Sequence, residues 1–190
     1  MATQHSAPTT VRVVRLERAR DLRIETLPLG KPAKGEALVR MAAGGICGSD
    51  LHYFHHGGFG TVRVHEPIIL GHEMAGFVEE LGPATAGPAP GTMVAVNPSY
   101  PCGSCRFCLL GQPIHCLAMR SLGRAFRMPH AHGGFRERMV VAAERCVPLL
   151  HIVSAGDAAS TPPLALCLHP PNHAAPACGH RVSPPGAAPP

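Results

Sequence analysis

Short apolar runs rich in β-branched residues alternate with Gly- and Pro-containing turns through the first 150 residues of the chain. Runs of this length with regular turn signals are typical of the strands of a small barrel or sandwich. Helical periodicity is weak over the same region. The predicted strands lie at 11–16, 21–29, 75–82 and 92–98, with a strand pair within 133–149. Segment 36–48 is predicted to be a strand that runs into a glycine-rich bend. The pattern therefore predicts one mainly β domain over residues 11–150.

The character of the chain changes near residue 150, where Pro, Ala and His become frequent. Paired prolines interrupt a helix or a central strand, and they occur at 162–163, 170–171, 184–185 and 189–190. Segment 151–190 is therefore expected to be an irregular, mostly disordered Pro/Ala-rich tail. The polar N-terminus, 1–10, is expected to be disordered as well.

Composition narrows the classes of protein to consider. Aromatic residues make up 4% of the chain and there is no Trp, so the core must rest on Val, Leu, Ile, Ala and Met. The net charge of +5 is spread along the sequence as single Arg residues, without the basic run of a nucleic-acid-binding arm. No apolar stretch approaches the ~18 residues of a membrane span, and the N-terminus lacks the apolar region of a secretory signal. We expect a cytoplasmic protein with no nucleic-acid or membrane partner.

Half of the cysteines fall in one short stretch, "PCGSCRFCLLGQPIHC", which spans residues 101–116. Thiols stay reduced in the cytoplasm, so a tight cluster there indicates a metal site before it indicates disulfides. Four thiolates complete a tetrahedral structural zinc site and leave no position for a substrate. An iron–sulfur cluster is the alternative, although the ferredoxin spacings differ from this one. The four candidate ligands are Cys102, Cys105, Cys108 and Cys116.

A second candidate site lies in "GGICGSDLHYFHHGGFGTVRVHEPIILGHEMAG", residues 44–76. Cys47, His72 and Glu73 are residue types that bind a catalytic zinc, in which one position stays open for water or substrate. Taken alone, the residues leave alternatives open. A lone cysteine is more often a small core residue, and a lone histidine is more often simply hydrogen-bonded.

Three segments resemble the zinc-containing medium-chain alcohol dehydrogenases in order, spacing and context: "GICGSDLHY", "LGHEMAGFVEELG" and "VNPSYPCGSCRFCLLGQPIHC". The sequence of these segments is most similar to the polyol and sugar-acid branch of the family, the sorbitol and L-idonate dehydrogenases. The resemblance covers residues 11–149. It implies a GroES-like barrel with a zinc-binding lobe, a structural zinc on the four clustered cysteines, and a catalytic zinc on Cys47 and His72. Glu73 would be a direct ligand or its immediate neighbour.

The resemblance also implies roles for residues that follow Cys47. Ser49 corresponds to the hydroxyl that takes the substrate proton, and His52 to a position on the proton relay to solvent. Without the resemblance, Ser49 would be interpreted as a turn residue after a glycine. Tyr53 would line the substrate pocket. Asp50 either fixes the bend around the cysteine or is simply a turn acid.

The implied activity is the oxidation of a secondary alcohol in a polyol or sugar acid, with NAD or NADP accepting the hydride. Zinc would lower the pKa of the bound alcohol, and the two relay residues would carry its proton away. Members of this branch are often dimers or tetramers, so a homo-oligomer is compatible with the resemblance.

The sequence departs from the family after residue 150. The G-x-G-x-x-G turn of a Rossmann domain is absent, and Pro162 stands where a further zinc-site carboxylate belongs. Frame shifts in the coding sequence would explain the altered tail, and a naturally short protein is the alternative. We therefore expect this chain to carry the catalytic-domain portion of a dehydrogenase. The alternative is an inactive truncated pseudoenzyme or a non-enzymatic zinc-binding protein. Cys146 is predicted to lie in a strand, and Cys167 and Cys178 are assigned no metal.

Overall fold

The structure is a computed structural model, which describes residues 10–175 and Gly179. The predictions made for residues 1–9, for Cys178 and for the last two proline pairs lie outside the described residues. The strands are β1 Thr10–Arg18, β2 Asp21–Pro28, β3 Glu36–Gly45, β4 Gly58–Phe59, β5 Val62–Arg63, β6 Ile68–Ile69, β7 Glu73–Leu81, β8 Met93–Val96, β9 Ser99–Tyr100, β10 Arg120–Ser121, β11 Arg138–Ala142 and β12 Cys146–Pro148. The helices are α1 Gly48–His56, α2 Arg106–Leu109, α3 Ala155–Ala159 and α4 Thr161–Ala174, with 3-10 turns at Pro113–His115 and Ala143–Arg145.

Two larger antiparallel sheets carry the fold. A five-stranded sheet has the order β11-β3-β7-β8-β12, and a three-stranded sheet has the order β2-β1-β6. The short pairs β9–β10 and β4–β5 form separate ribbons. All strand pairs among the described residues are antiparallel, and none forms the parallel sheet of a nucleotide-binding domain. The predicted mainly β fold is confirmed, and Cys146 begins β12 as predicted.

Aliphatic side chains on alternating strand positions build the core, as expected from a chain with few aromatic residues. The largest cluster contains Val39, Met74, Val94 and Val141 with their neighbours on the five-stranded sheet. Tyr53 is the exception, because its side chain is fully buried in a second cluster. Its hydroxyl accepts a hydrogen bond from the N–H of Ala125 at 3.1 Å. The expectation that Tyr53 lines the substrate pocket is therefore wrong, since the residue packs in the core.

Helix α1 follows the predicted glycine-rich bend at the end of β3, and the sequence pattern did not predict it. Strand β3 ends at Gly45, and Cys47 is the N-cap of the helix. The N–H of Cys47 donates to the Asp50 carboxylate at 2.9 Å, which closes a reciprocal capping box. At the other end Gly57 adopts a left-handed conformation with φ 67°, which ends the helix. The helix thus depends on its two caps and on the burial of Tyr53. This explains why apolar periodicity did not predict it.

The first part of the predicted irregular tail is helical. Helix α3 is capped by Ser154, whose hydroxyl oxygen accepts the N–H of Asp157 at 3.1 Å. Helix α4 includes both proline pairs at 162–163 and 170–171. Pro162 and Pro163 lie in its first turn, where backbone N–H groups have no intrahelical acceptor, so the prolines cost no hydrogen bond there. The expectation that these pairs interrupt any helix is wrong.

Helix α3 packs directly on the strands that carry the candidate site. Ala158 and Ala159 are buried against Ala75 of β7. Burial of these small side chains anchors the segment after residue 150 to the five-stranded sheet. Helix α4 follows immediately and forms one wall of a cleft described below.

Candidate metal centres

The four clustered cysteines converge in a lobe between β9 and β10. Their sulfur atoms all lie within 4.8 Å of one another, and the Sγ atoms of Cys105 and Cys108 are 3.6 Å apart. A zinc ion with Zn–S bonds of ~2.3 Å has sulfur–sulfur edges of about 3.8 Å in a tetrahedron. The cysteines that the sequence predicted are therefore brought together, and they fit a four-thiolate zinc site.

Backbone amides in the lobe point at the sulfur atoms. The N–H of Cys102 donates to Sγ of Cys116 at 3.1 Å, and the N–H of Cys105 donates to Sγ of Cys102 at 3.4 Å. Hydrogen bonds from the Ser104 and Cys105 amides lower the pKa of the Cys102 thiol to about 6. At Cys102 the amide donors favour the thiolate, which is the form that binds metal, whereas burial raises the pKa of the Cys108 thiol.

The lobe has almost no apolar core of its own. Neither α2 nor the following 3-10 turn contains a buried residue, and Leu109 and Leu110 are exposed. A segment that buries so little apolar surface cannot offset its loss of conformational entropy on folding. A metal bound by the four cysteines would supply the missing stabilisation.

The second candidate set assembles at the junction of α1 and β7. Cys47 precedes the helix, while His72 and Glu73 begin the strand, and their ligand atoms lie within 4.8 Å of one another. Gly71 makes the approach possible. Its φ is +91°, and a Cβ at this position would lie 2.4 Å from the ring of Phe135. The structure thus brings together the three residues that the sequence predicted, and their S, N and O donors suit zinc.

Asp50 links the two halves of this set. It is 3% exposed, and its Oδ2 accepts the N–H of Cys47 at 2.9 Å while Oδ1 accepts the N–H of Gly71 at 3.4 Å. Burial raises the pKa of this carboxyl, against the lowering effect of the two backbone donors. Of the two roles considered for Asp50, the structure supports the first, because its carboxylate fixes the backbone beside both ligands.

His72 presents one ring nitrogen to the protein interior and the other to a cleft. Its Nδ1 is buried without a hydrogen bond and lies 3.8 Å from Oδ1 of Asp50. Its Nε2 lies 3.0 Å from a guanidinium nitrogen of Arg124, which is a donor, so we assign Nε2 as the acceptor. Burial, aided by Arg124, lowers the pKa of His72 to about 4. The ring is therefore neutral at pH 7, as a metal ligand must be.

A cleft of about 640 Å³ opens in front of these residues, within the size range of small-molecule sites. Cys47, His72 and Glu73 line one side, and the first turns of α4 line another. Pro162 is among the lining residues, so it faces the cleft where the resemblance implies a carboxylate. Arg124 also lines the cleft, and the sequence analysis missed it because no motif marks "SLGRAFRMPH".

Ser49 and His52 are not among the residues that line this cleft. The Ser49 hydroxyl is buried without a hydrogen-bond partner. His52 is exposed on α1, with its ring 5.9 Å from that of His56 and 6.1 Å from that of Phe59. Their roles in a proton relay therefore stay predictions.

Comparison with known proteins identifies the fold and the family. Residues 33–151 match the family model of the alcohol dehydrogenase GroES-like domain. This match covers more than half of the chain. The chain belongs to the zinc-containing medium-chain alcohol dehydrogenases. The expected GroES-like fold is thereby confirmed.

Similar proteins include named dehydrogenases, so the family is one of oxidoreductases. L-idonate 5-dehydrogenase (NAD(P)(+)) of Escherichia coli K12 is 38% identical over 145 residues, which are 76% of this chain and 42% of that protein. Sorbitol dehydrogenase of Bacillus subtilis is 32% identical over 165 residues, 87% of this chain and 46% of that protein. The crystal structure of E. coli L-idonate 5-dehydrogenase matches with a TM-score of 0.79 and 32% identity, over 87% of this chain and 47% of that one.

The chain therefore spans less than half of the length of these relatives, 42% and 46% of the two curated sequences. Within the described residues, no helix is both long and apolar enough to cross a membrane. Apart from the two cysteine-containing sets, the described part of the chain holds no other cluster of Cys, His, Asp or Glu compact enough to hold a metal.

Proposed function

We propose that this chain carries the catalytic domain of a zinc-dependent dehydrogenase that oxidises a secondary alcohol of a polyol or sugar acid with NAD or NADP. One observation carries the proposal. Cys47, His72 and Glu73 meet on one wall of a cleft large enough for a small polar substrate. The similarity to L-idonate and sorbitol dehydrogenases supports the substrate class, and the first of these names includes NAD(P)(+).

Each candidate site residue has a defined role in this proposal. Cys47, His72 and Glu73 would hold the catalytic zinc, and Asp50 holds the backbone beside the first two. Zinc bound there supplies a Lewis acid that lowers the pKa of an alcohol. Ser49 and His52 would carry the released proton away, because alkoxide formation must release one near neutral pH. The four lobe cysteines would hold a second, structural zinc. We place the protein in the cytoplasm, where these thiols stay reduced, and an assembly of several copies stays a prediction.

Replacing Cys47 by serine should lower the zinc content from two equivalents per chain to one. The serine hydroxyl stays protonated near neutral pH and is a poor substitute for a thiolate, while the lobe cysteines are unchanged. The measurement is metal analysis of the purified chain after zinc loading and gel filtration. Cys167→Ser is the matched control, because Cys167 is an exposed free cysteine in α4. Equal zinc contents in the two variants would contradict the assignment of Cys47.

Cofactor binding separates the dehydrogenase from its alternative, a non-enzymatic zinc-binding protein. We expect the fluorescence of NADH to shift or be quenched when the zinc-loaded chain is titrated with it. A bound nicotinamide ring beside the cleft is what a hydride transfer requires. If the fluorescence of NADH at millimolar concentration shows no change beyond dilution, this chain is not a dehydrogenase by itself. The result would then favour a non-enzymatic zinc-binding protein.

A further inference from the structure

We propose that Arg124 is a specificity-determining residue, which binds the carboxylate of an anionic sugar-acid substrate in the cleft. The inference rests on the proposed function and narrows its substrate class. It predicts a preference for sugar acids over neutral polyols of the same length.

The backbone around Arg124 is fixed directly against the turn that precedes His72. Arg124 pairs with Ala131 in an isolated β-bridge, and the N–H of Gly123 donates to the Ala131 carbonyl at 2.8 Å. A Cβ on Gly123 would lie 2.6 Å from the carbonyl oxygen of Gly71, so the two chain segments are in close contact. The side chain of Arg124 therefore starts beside the candidate metal ligands.

The guanidinium of Arg124 has no anionic partner in the described part of the protein. No carboxylate oxygen of a described residue lies within 4.0 Å of it. Its contacts are the Nε2 of His72 at 3.0 Å and the ring of Phe126, whose centroid is 5.5 Å from the guanidinium carbon. Arg12 and Arg138, by contrast, each pair with a glutamate. A guanidinium offers a planar fork of donors that matches a carboxylate.

Arg124 is the one Arg or Lys among the described residues that line the cleft. In the proposed site, the charges of a Cys47 thiolate, a Glu73 carboxylate and a zinc ion sum to zero. Arg124 adds a positive charge to the wall of the cleft. The Asp50 carboxylate, whose charge also acts on Arg124, is buried and already accepts two backbone N–H groups. A carboxylate substrate would therefore be a direct partner for the guanidinium. In a partly buried cleft such a charge favours anionic over neutral ligands more strongly than it would in water.

Metal binding would also release the guanidinium from its present acceptor. The Nε2 of His72 has a single lone pair, so a metal that took this nitrogen as its ligand would displace the Arg124 donor. Once it is used, the Arg124 donors require another acceptor, and their place in the cleft makes a bound substrate that acceptor. Asn97, Ser99 and Ser121 line the same cleft and are able to hydrogen-bond the hydroxyl groups of a sugar acid.

The test compares two probes of equal chain length, gluconate and sorbitol, on the full chain loaded with cobalt in place of zinc. Binding is followed by the visible absorption of the cobalt. We expect the dissociation constant of gluconate to be at least about tenfold below that of sorbitol, as a charge-assisted hydrogen bond predicts. In Arg124→Gln the gluconate constant should rise by about tenfold or more, and the sorbitol constant should change less than about twofold.

Arg120→Gln is the matched control, because Arg120 donates to the carbonyl of Pro129 and does not line the cleft. This variant should bind both probes as the unmodified chain does. The cobalt content of both variants should equal that of the unmodified chain, which excludes a loss of fold. If Arg124→Gln weakens both probes equally, or neither, the Arg124 assignment alone is overturned. If the unmodified chain binds neither probe, the proposed function fails and the assignment fails with it.

Discussion

Alanine in place of Gly71 is expected to lower the free energy of unfolding by about 2–5 kcal/mol and to abolish metal binding in the cleft. Two costs add at this position. The backbone has a φ of +91°, which L-residues with a Cβ rarely adopt. The new methyl group would also lie 2.4 Å from the ring of Phe135, which is partly buried and packs against the core. Any relief of this clash moves the backbone next to His72, so metal binding should be lost together with stability.

Gly91→Ala is the matched control for this prediction. Gly91 has a φ of +89°, but a Cβ there would meet no atom within 4 Å. The Gly91→Ala substitution should therefore lower the free energy of unfolding only by the cost of the backbone conformation, about 1–2 kcal/mol, and leave cobalt binding unchanged. Urea unfolding gives the stabilities, and cobalt absorption reports the cleft. If the two variants are equally destabilised, the contact with Phe135 does not matter and the explanation is wrong.

Serine in place of Cys105 is expected to empty the zinc-binding lobe and to unfold it locally. Binding of structural zinc by four cysteines provides about 10–16 kcal/mol, so losing one thiolate should weaken it by about a hundredfold or more. Because α2 and the following 3-10 turn bury no residue, little else holds this segment in shape. The five-stranded sheet has its own core of Val and Met side chains and should be unaffected.

Amide hydrogen exchange with metal analysis checks this prediction. Exchange over residues 102–117 should approach that of an unstructured chain, while β3 and β7 keep their protection. Ser104→Ala is the control within the lobe, because its hydroxyl is 3.7 Å from Sγ of Cys102 and provides only a weak contact. If Cys105→Ser retains slow exchange in the lobe, then contacts other than metal binding fold it.

Strand positions were predictable because their cause is local. The pattern of buried and exposed side chains in β1 is visible in the sequence as alternating apolar and polar residues. Helix α1, which follows β3, was not predictable in this way. The change from strand to helix depends on the bond between Asp50 and the Cys47 amide, and on the burial of Tyr53 among residues distant in sequence. Short helices fixed by caps and packing leave a weak periodic signal.

Long-range contacts also explain the other differences between the sequence-based predictions and the structure. The prolines after residue 150 predict an irregular segment, whereas burial of Ala158 and Ala159 against β7 anchors it. Arg124 carried no sequence signal, because its importance comes from its contact with His72, 52 residues away in the chain. The cluster of four cysteines was predictable because ligand chemistry restricts residue type and spacing, and the local sequence retains both. The set of Cys47, His72 and Glu73 was predicted from the family resemblance, because Cys47 and His72 lie 25 positions apart and the residues alone left their roles open.

The two hydrogen bonds of Asp50 also bear on how each centre would respond to metal supply. Folding alone brings Cys47 next to His72, so the loop between them is closed before any ion arrives, and its closure entropy does not weaken metal affinity. The ends of the lobe are joined by the β9–β10 pair and by the Cys102 N–H bond to Sγ of Cys116, but α2 and the following 3-10 turn bury no residue, so the order of the lobe should depend more on its ion. Fluctuating zinc levels would therefore switch the cleft between competent and incompetent states with the barrel intact, whereas the lobe would order and disorder with its metal.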